Sequence, residues 1–485
     1  MSIHAQLSHK AQAALATQKR TSTISALIIS ILSFGLVILV LMVIALNVDL
    51  EKSPEIIGFL PKTALVKKIE RPEIKNEVQR TPTPPASFSM AKVIAPFSAS
   101  PTAIPVPNTE ISQVALEFGN GDEFGYGSGD TDGNGLTGDD GFKKLPPIMK
   151  GRCSKKDRLN RLLANGGNEQ CEEAVMKSLR WLQETQNTDG SWTTKNKGAM
   201  TGFALLAFLG HCETPISAEF GETVEKAIVY LVDLGMKNEG RLATAAVGSH
   251  HWVYEHGIAT YALAEAYTFC DSLGFKMPNL AEVTQTAGDM IIAGQTDSGG
   301  WLYGYKSGGG GGDNSVGFWQ IQALKACKNT KLWEDKDFKT VSDKALEWLT
   351  LVQGENGAIG YRSSPSKSPG LTGGGVLAFQ MWGKSNAKEV AKGVKYIREN
   401  TDLKWGEPSS DLYYHYYNAQ AMINSGGDDW KFYNDLFRDE LLTNQNEDGS
   451  WINSNKHSGK VHMSTCLATF MLEVYYRFLP SSTTD

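Results

Sequence analysis

A seven-residue turn sequence occurs twice in this chain, almost letter for letter. Residues 186–192 read Gln-Asn-Thr-Asp-Gly-Ser-Trp and residues 445–451 read Gln-Asn-Glu-Asp-Gly-Ser-Trp, with looser copies at 294–301, 353–361 and 405–406. Asp-Gly and Asn-Gly favour the left-handed backbone of a tight turn after a helix, and the aromatic residue that follows is large enough to fix one turn against the next. A unit repeated at roughly 45 to 60 residues predicts a repeat architecture.

Length and charge narrow the class of protein. The chain has 485 residues, 41% of them hydrophobic, which is enough for a large core and more than one region. Its net charge is -6 and its pI is near 5.9, so it lacks the basic surface that nucleic-acid binding requires. We therefore expect no nucleic-acid partner.

An apolar stretch near the N-terminus predicts a membrane anchor. Residues 24–48 carry no charge and consist mainly of Leu, Ile and Val, which is long enough for a helix to cross a bilayer. Lys10, Lys19 and Arg20 precede the stretch, and acidic residues follow it, so the positive-inside rule places residues 1–23 in the cytoplasm. The run is too long for a cleaved signal peptide and lacks a small-residue cleavage site. We expect a single-pass inner-membrane protein whose C-terminal domain is periplasmic or extracellular.

Residues 49–149 have the composition of a linker. Ten prolines between 49 and 117 predict an extended spacer, and the anchor with this spacer resembles, in composition, the envelope-spanning energy-transduction proteins of bacteria. Residues 118–141 are rich in Gly and Asp. Asp130, Asp132 and Asn134 match positions of a calcium loop, but Gly141 stands where its bidentate Glu should be. The sequence favours a flexible acidic linker and leaves calcium binding open.

The cysteines predict a disulfide but no metal site. Cys153 and Cys171 bracket the polar segment before the first repeat, and outside the membrane thiols can oxidise, so we expect these two to pair. The other four cysteines lie in apolar helical stretches and are expected to be buried thiols. No CxxC sequence occurs, which argues against a cysteine-based metal site.

Residues 150–485 show helical periodicity throughout. Helices with one apolar stripe end at the turns, and a second set, apolar nearly all round, follows them at 201–208, 254–267, 315–326, 372–382, 413–423 and 464–472. Six of each predict an all-α toroid: an inner ring of six parallel helices covered by an outer ring of six. Thr201, Ser315, Thr372 and Ser464 are the expected N-caps of inner helices. The helix N-termini would then meet at one end of a central cavity.

The Gln-Asn-x-Asp-Gly-Ser-Trp sequence resembles the repeat of the squalene-hopene cyclase and protein prenyltransferase superfamily. The resemblance covers residues 150–485 and implies the α/α-toroid of that family, with the repeat acting as a structural clamp between outer helices. Class II cyclases of the family use an Asp-x-Asp-Asp acid, which this chain lacks. Prenyltransferases bind zinc through Asp-x-Cys and a later His. This chain has Ser315 in place of that Cys, with Asp313 and His415 at related positions, so we expect no zinc and no other cofactor. The Cys-Gly-Glu-Gln of thioester proteins is also absent.

Aromatic and ionisable residues at the predicted inner-helix starts form the candidate site. They are expected to bind a ligand at one end of the toroid, although a polar rim that closes the barrel is the simpler interpretation: Glu255, His256, Asp313, Trp319, Tyr414 and His415. We expect a binding module for a hydrophobic, lipid or isoprenoid-like ligand, or for an envelope protein. A terpene cyclase or mutase is the alternative, and an envelope spacer is a third. No residue is assigned a catalytic role, and the enzyme question stays open, leaning towards none.

Overall fold

The computed structural model describes residues 145, 147–308, 310–364, 371–453, 455 and 457–477. The predicted membrane helix at 24–48 and the calcium-like sequence lie outside the described residues, as does nearly all of the predicted linker. Among the residues that are described, no helix is both long enough and apolar enough to cross a membrane.

Helices make up nearly all of the regular structure. The described residues contain no strand, only one isolated bridge between Gln353 and Ile359. Two helices lead into the domain: α1 (Pro147–Lys150) and α2 (Lys155–Ala164). Six helices have one buried face and form the outer layer: α3 (Glu169–Glu184), α5 (Gly221–Lys237), α7 (Leu280–Gly294), α9 (Asp335–Leu351), α11 (Lys388–Asn400) and α13 (Gly427–Thr443). Six alternate with them and are buried on nearly all sides: α4 (Lys197–Gly210), α6 (His251–Leu273), α8 (Asn314–Thr330), α10 (Thr372–Met381), α12 (Leu412–Ser425) and α14 (Val461–Glu473).

The inner helices form a closed ring. Each contacts the inner helix before it and the one after it, and α14 contacts α4, so the last repeat packs against the first. The outer helices cover this ring, as their single apolar face requires. The prediction of an all-α, toroid-like fold is therefore confirmed.

The repeated turn sequence fastens four of the six outer helices to the next one around the ring. The amide Nε2 of Gln186 donates to the carbonyl of Gly190 within its own turn and to that of Thr223 on α5. Gln295, Gln353 and Gln445 make the same pair of bonds in their turns. The tryptophan of the turn, such as Trp192, is fully buried and donates from Nε1 to a carbonyl ten residues earlier. These bonds make the repeated turn a structural clamp between outer helices, as expected.

One of these turns joins two helices that are far apart in the sequence and so closes the ring. Gln445 donates to the carbonyl of Ala174 on α3, joining the last repeat to the first. Gly449 in the same turn has φ +93, and a Cβ there would lie 2.3 Å from the carbonyl oxygen of Lys177 on α3. The turn therefore needs glycine both for its left-handed backbone and for its close approach to the next helix.

The predicted N-caps are wrong because the inner helices begin earlier. Helix α4 starts at Lys197, four residues before Thr201, and α8 is capped by Asp313 rather than Ser315. The hydroxyl of Thr201 instead accepts from the backbone N–H of Trp192, 3.3 Å away, and Thr372 accepts from Ile359 in the same way. These hydroxyls hold the turns against the inner ring.

The disulfide joins Cys153 to Cys212, so the predicted pairing of Cys153 with Cys171 is incorrect. Cys212 follows α4 directly, and its Cα lies 5.0 Å from that of Cys153, within the range a disulfide requires. Cys171 is a free, buried thiol in the first turn of α3, where it packs into the core. Only the tertiary packing of the lead-in helices against α4 brings the correct partner close.

Candidate functional site

The inner helices run in the same direction, and their ends define two faces. Hydrogen bonds join first turns to one another, as between the hydroxyls of Tyr254 on α6 and Ser315 on α8, 2.7 Å apart. We call this end the mouth, and the opposite end, where the C-terminal turns of α4, α6 and α14 meet, the floor. All six predicted site residues lie in or near the first or second turns of inner helices, but their surroundings differ.

Glu255 and His256 are internal fasteners of the connection before α6. Glu255 is 1% exposed, and its carboxylate accepts from the backbone N–H groups of Gly198, Thr244 and Ala245 at 3.0 Å each. The Nδ1 of His256 accepts from the backbone N–H of Leu242, so its Nε2 carries the proton and donates to the carbonyl of Ala287. Burial lowers the pKa of His256 to about 4. Neither side chain has a free atom to offer a ligand.

Asp313 is a helix cap with one outward partner. Its Oδ1 accepts from the backbone N–H of Ser315 at 3.1 Å and from the hydroxyl of that residue at 2.5 Å. The other oxygen, Oδ2, pairs with Nε of Arg362 at 3.3 Å. The carboxylate is buried and the guanidinium is exposed, so a ligand at the mouth would meet Arg362 first.

His415 has both ring nitrogens engaged. Nε2 donates to the carbonyl of Ser409 at 2.8 Å, and Nδ1 accepts from the hydroxyl of Tyr433 at 2.7 Å. Burial lowers the pKa of His415, which favours this neutral form. In this arrangement no lone pair of His415 is available to a metal ion. In the described residues, no group of three or more His, Cys, Asp or Glu side chains is placed to hold one.

Trp319 fills the barrel instead of lining an open cavity. It is fully buried, its ring stacks on Tyr416 at 5.5 Å with an interplanar angle of 12°, and it meets the edge of Phe203 at 5.3 Å. Phe470 packs on both Tyr416 and Phe203. Four inner helices thus contribute rings to one aromatic core. The expected ligand wall at Trp319 is part of that core, and a ligand would have to lie above it.

Tyr414 belongs to a line of partly exposed rings across the mouth. The ring centroids of Tyr254 and Tyr303 are 6.1 Å apart, and those of Tyr413 and Tyr414 are 6.0 Å apart. The hydroxyls of Tyr361 and Tyr414 are 3.1 Å apart. We call these five tyrosines the aromatic stripe: Tyr254, Tyr303, Tyr361, Tyr413 and Tyr414.

Ser315 connects the two halves of the stripe. Its hydroxyl accepts from Tyr254, because its own proton goes to Asp313, and its carbonyl accepts from the hydroxyl of Tyr413 at 3.2 Å. The same tyrosine oxygen accepts from Nε1 of Trp319 at 2.7 Å. The hydroxyls of Tyr254 and Tyr413 are therefore held by the first turn of α8.

Two basic side chains face solvent along the stripe, above buried carboxylates. The side chains of Arg362 and His457 are 57% and 62% exposed, whereas their partners Asp313 and Asp411 are 5% and 6% exposed. Arg362 lies over the ring of Tyr303, 5.8 Å from its centroid. An open cavity of about 260 Å³ adjoins this pair, lined by Leu302, Tyr303, Gly311, Gly312, Trp348 and Arg362.

Sequence reasoning missed Tyr303, Tyr361, Arg362 and His457. All four lie in connections between an outer helix and the following inner helix, which the pattern analysis treated as turns. The predicted topology could have identified these residues, because in an up-and-down toroid each of these connections must return to the mouth. Aromatic or basic residues in the connections were therefore candidates on topology alone.

Comparisons with known proteins were made for sequence and for structure. The sequence matches no known family and no curated protein. Among solved structures, a GH76 α-1,6-mannanase from Salegentibacter sp. HEL1_6 aligns at 14% identity with a TM-score of 0.47, covering 63% of this chain and 98% of that one. The type II terpene cyclase MstE from Scytonema aligns at 12% identity with a TM-score of 0.42, covering 64% and 98%. At this level of identity the likeness concerns the α/α-toroid fold alone.

Proposed function

We propose that this protein is a membrane-anchored, extracytoplasmic binding module that takes its ligand across the aromatic stripe at the mouth. The ligand has an apolar or aromatic body and an anionic group, as a lipid with a phosphate or carboxylate headgroup does. One observation carries this proposal. Along the stripe, tyrosine rings, the guanidinium of Arg362 and the imidazole of His457 face outward, while the carboxylates that pair with the two basic groups lie beneath.

Exposed apolar side chains on the mouth side support an amphiphilic ligand or an envelope partner. Val247, Leu351 and Ile452 are 57%, 73% and 62% exposed, and all lie in or beside connections on the mouth side. Apolar side chains on the same side of the domain as tyrosine rings and an arginine suit the boundary between a headgroup and its chains. The parallel inner helices add the positive ends of their dipoles at the same face.

A binding role agrees better with the inner ring than a cyclase role does. The ionisable candidates Glu255, His256 and His415 spend their hydrogen-bonding capacity inside the protein, so none is poised to protonate a substrate. The aromatic core around Trp319 fills the interior of the barrel, so a substrate would have to fold above it. The cyclase alternative is nevertheless tested by the same experiment.

The test compares two arginines in matched surroundings. Arg362 pairs with Asp313 and lies 5.8 Å from the Tyr303 ring, and Arg398, on the outer helix α11 and outside the stripe, pairs with Asp429 and lies 5.9 Å from the Phe432 ring. We expect Arg362→Ala to weaken binding of phosphatidylglycerol vesicles roughly tenfold, because a charge-assisted contact is lost. Arg398→Ala should bind as the wild type does.

Vesicles of phosphatidylcholine alone distinguish the anionic group from the apolar body. Weak binding to them by every variant is expected. Equal binding by Arg362→Ala and Arg398→Ala, with melting unchanged, would rule out the stripe as the site. A cyclised product after incubation with squalene or an isoprenoid diphosphate would favour the enzyme instead.

A further inference from the structure

The floor contains buried charges that the mouth does not involve. Glu473, at the end of α14, is 0% exposed, and neither of its carboxylate oxygens has a hydrogen-bond partner within the described part of the chain. The nearest cationic nitrogen, on Arg477, is 3.6 Å away, which is too long for a hydrogen bond. Ionised carboxylates are normally buried only with such partners.

A second floor glutamate, Glu265, has the closer guanidinium partner. Nη1 of Arg152 lies 3.4 Å from Oε2 of Glu265, and Nη2 of Arg477 lies 3.8 Å from the same oxygen. Arg477 also lies over the Phe470 ring at 4.8 Å. Arg477 is thus shared between the two glutamates at distances too long for a hydrogen bond, whereas Glu265 accepts one from Arg152.

Glu473 is also held in place by packing. A Cβ at Gly210 would lie 2.1 Å from its Oε2, so the carboxyl group presses against the backbone of α4. Two further buried polar atoms nearby have no partner among the described residues: Nε of Arg152 and the hydroxyl of Tyr476. Such atoms in proteins are usually bridged by ordered water, which also gives protons a route to a buried group.

A neighbouring histidine shows how a charge is accommodated at the floor when partners are present. His211 points Nε2 at Glu172 and Nδ1 at Glu213, at 3.0 Å and 2.8 Å. Because both nitrogens face carboxylate oxygens, both must donate, and the ring is an imidazolium. Burial and Arg158 oppose this charge, but the two carboxylates outweigh them and raise the pKa of His211.

We propose that the floor is a binding site for one exchangeable proton, carried by the carboxyl group of Glu473. The folded domain takes up this proton and the unfolded chain releases it at neutral pH, so pH controls the stability of the toroid through this group. Charged and titratable groups on the elements packed around it complete the site: His211, Arg152, Glu265, Arg477, Tyr476 and Cys466.

The direction of the pH effect follows from linkage. Burial raises the pKa of Glu473 from 4.5 to about 8, against the opposing effect of Arg477, His211 and Arg152. The folded state therefore binds more protons than the unfolded state between these two values, and stability decreases as pH rises through this window. His211, whose pKa is also raised, changes stability in the same direction above 6.5.

The experiment uses the full-length protein and two glutamine variants. Melting temperature is measured from pH 5 to pH 8.5 for the wild type, Glu473→Gln and Glu222→Gln. Glu222 lies in the first turn of α5 with its side chain 81% exposed. We expect the wild type and Glu222→Gln to lose stability with rising pH. Glu473→Gln should show a clearly shallower loss, leaving the part due to His211.

Infrared spectroscopy of the wild type tests whether Glu473 is protonated, even if Glu473→Gln does not fold. At pH 6 exposed glutamates are ionised, so a protonated-carboxyl band that shifts in deuterium oxide and titrates away above pH 7 is expected from Glu473. Its absence at pH 6 would overturn the proposal. So would a Glu473→Gln variant that folds and keeps the full wild-type slope of stability against pH.

Discussion

At the scale of single residues, most polar side chains near the mouth fasten backbone. Glu255 alone satisfies three backbone N–H groups, and His256 ties the same connection to α7. A buried N–H without a partner costs roughly 1 to 3 kcal/mol, so these side chains stabilise connections that could not otherwise be buried. Residue types suited to catalysis are used here as structural groups.

The turn glycines give the sharpest prediction at this scale. We expect Gly449→Ala to lower the free energy of unfolding by about 2 to 5 kcal/mol. A left-handed backbone costs an L-residue about 1 to 2 kcal/mol, and displacing a packed helix adds about 1 to 3 kcal/mol. Both apply because φ is +93 and the new Cβ would lie 2.3 Å from the Lys177 carbonyl oxygen. Urea titration of the full-length protein measures the change.

Gly274 is the matched control for Gly449. It ends α6 with φ +69, and a Cβ there would meet nothing within 4 Å. Gly274→Ala should therefore show only the backbone cost. If the two variants were equally destabilised, contact with α3 would contribute nothing, and the interpretation of the turn as a clamp would have to be abandoned.

At the scale of elements, α1 and α2 are held to the toroid by a disulfide and ion pairs as well as by packing. Leu145 and Met149 are buried in the core, Arg152 reaches the floor, and Cys153 is bonded to Cys212 after α4. Arg158 on α2 adds a bond to Glu172 at 3.1 Å. The segment that follows the predicted linker is thus fixed to the floor.

Removing the disulfide should loosen this segment first. The bond closes a loop with a sequence separation of 59, for which chain entropy gives about 4 kcal/mol. We expect Cys212→Ser to lower the free energy of unfolding by up to about this amount, and hydrogen exchange in α1 and α2 to rise most. Peptide mapping without reductant should recover Cys153 linked to Cys212.

Cys171 supplies the control for this prediction. It is buried and free, so it should react with a thiol reagent only after denaturation, with or without reductant. A mapped Cys153–Cys171 peptide would show that the pairing seen here is not the one formed. Unchanged exchange in α1 and α2 after Cys212→Ser would show that packing alone holds them.

At the scale of the whole molecule, the ring separates two kinds of surface. The mouth combines exposed rings, basic side chains and apolar side chains, and the floor buries charges and receives the lead-in segment. With the predicted anchor at residues 24–48, we propose that the toroid is held outside the cytoplasm by the predicted linker. The disulfide between Cys153 and Cys212 supports this proposal, since disulfides persist in oxidising compartments.

Topology tests this arrangement directly. An alkaline phosphatase fusion at the C-terminus should be active in cells, and a fluorescent protein that folds only in the cytoplasm should be dark at the same position. Deleting residues 24–48 should reverse both results, because no apolar segment would then direct the chain across the membrane. An inactive phosphatase fusion together with a fluorescent full-length fusion would contradict the proposal.

The sequence by itself determined the repeat, the alternation of one-sided and fully apolar helices, and hence an all-α toroid-like fold. It could do so because turn chemistry and helical periodicity are local properties. It also placed the candidate residues near the starts of inner helices. It could not tell which of them face solvent, because Trp319 and Tyr414 differ in burial only through the packing of other helices.

Tertiary structure alone decided the pairing of Cys153 with Cys212, the engagement of both nitrogens of His415, and the buried position of Glu473 beside Gly210. Each depends on two segments that are distant in sequence meeting with a definite geometry. Local propensity carries no information on such meetings, since they follow from how the ring closes. The stripe and the proton site both arise at that level.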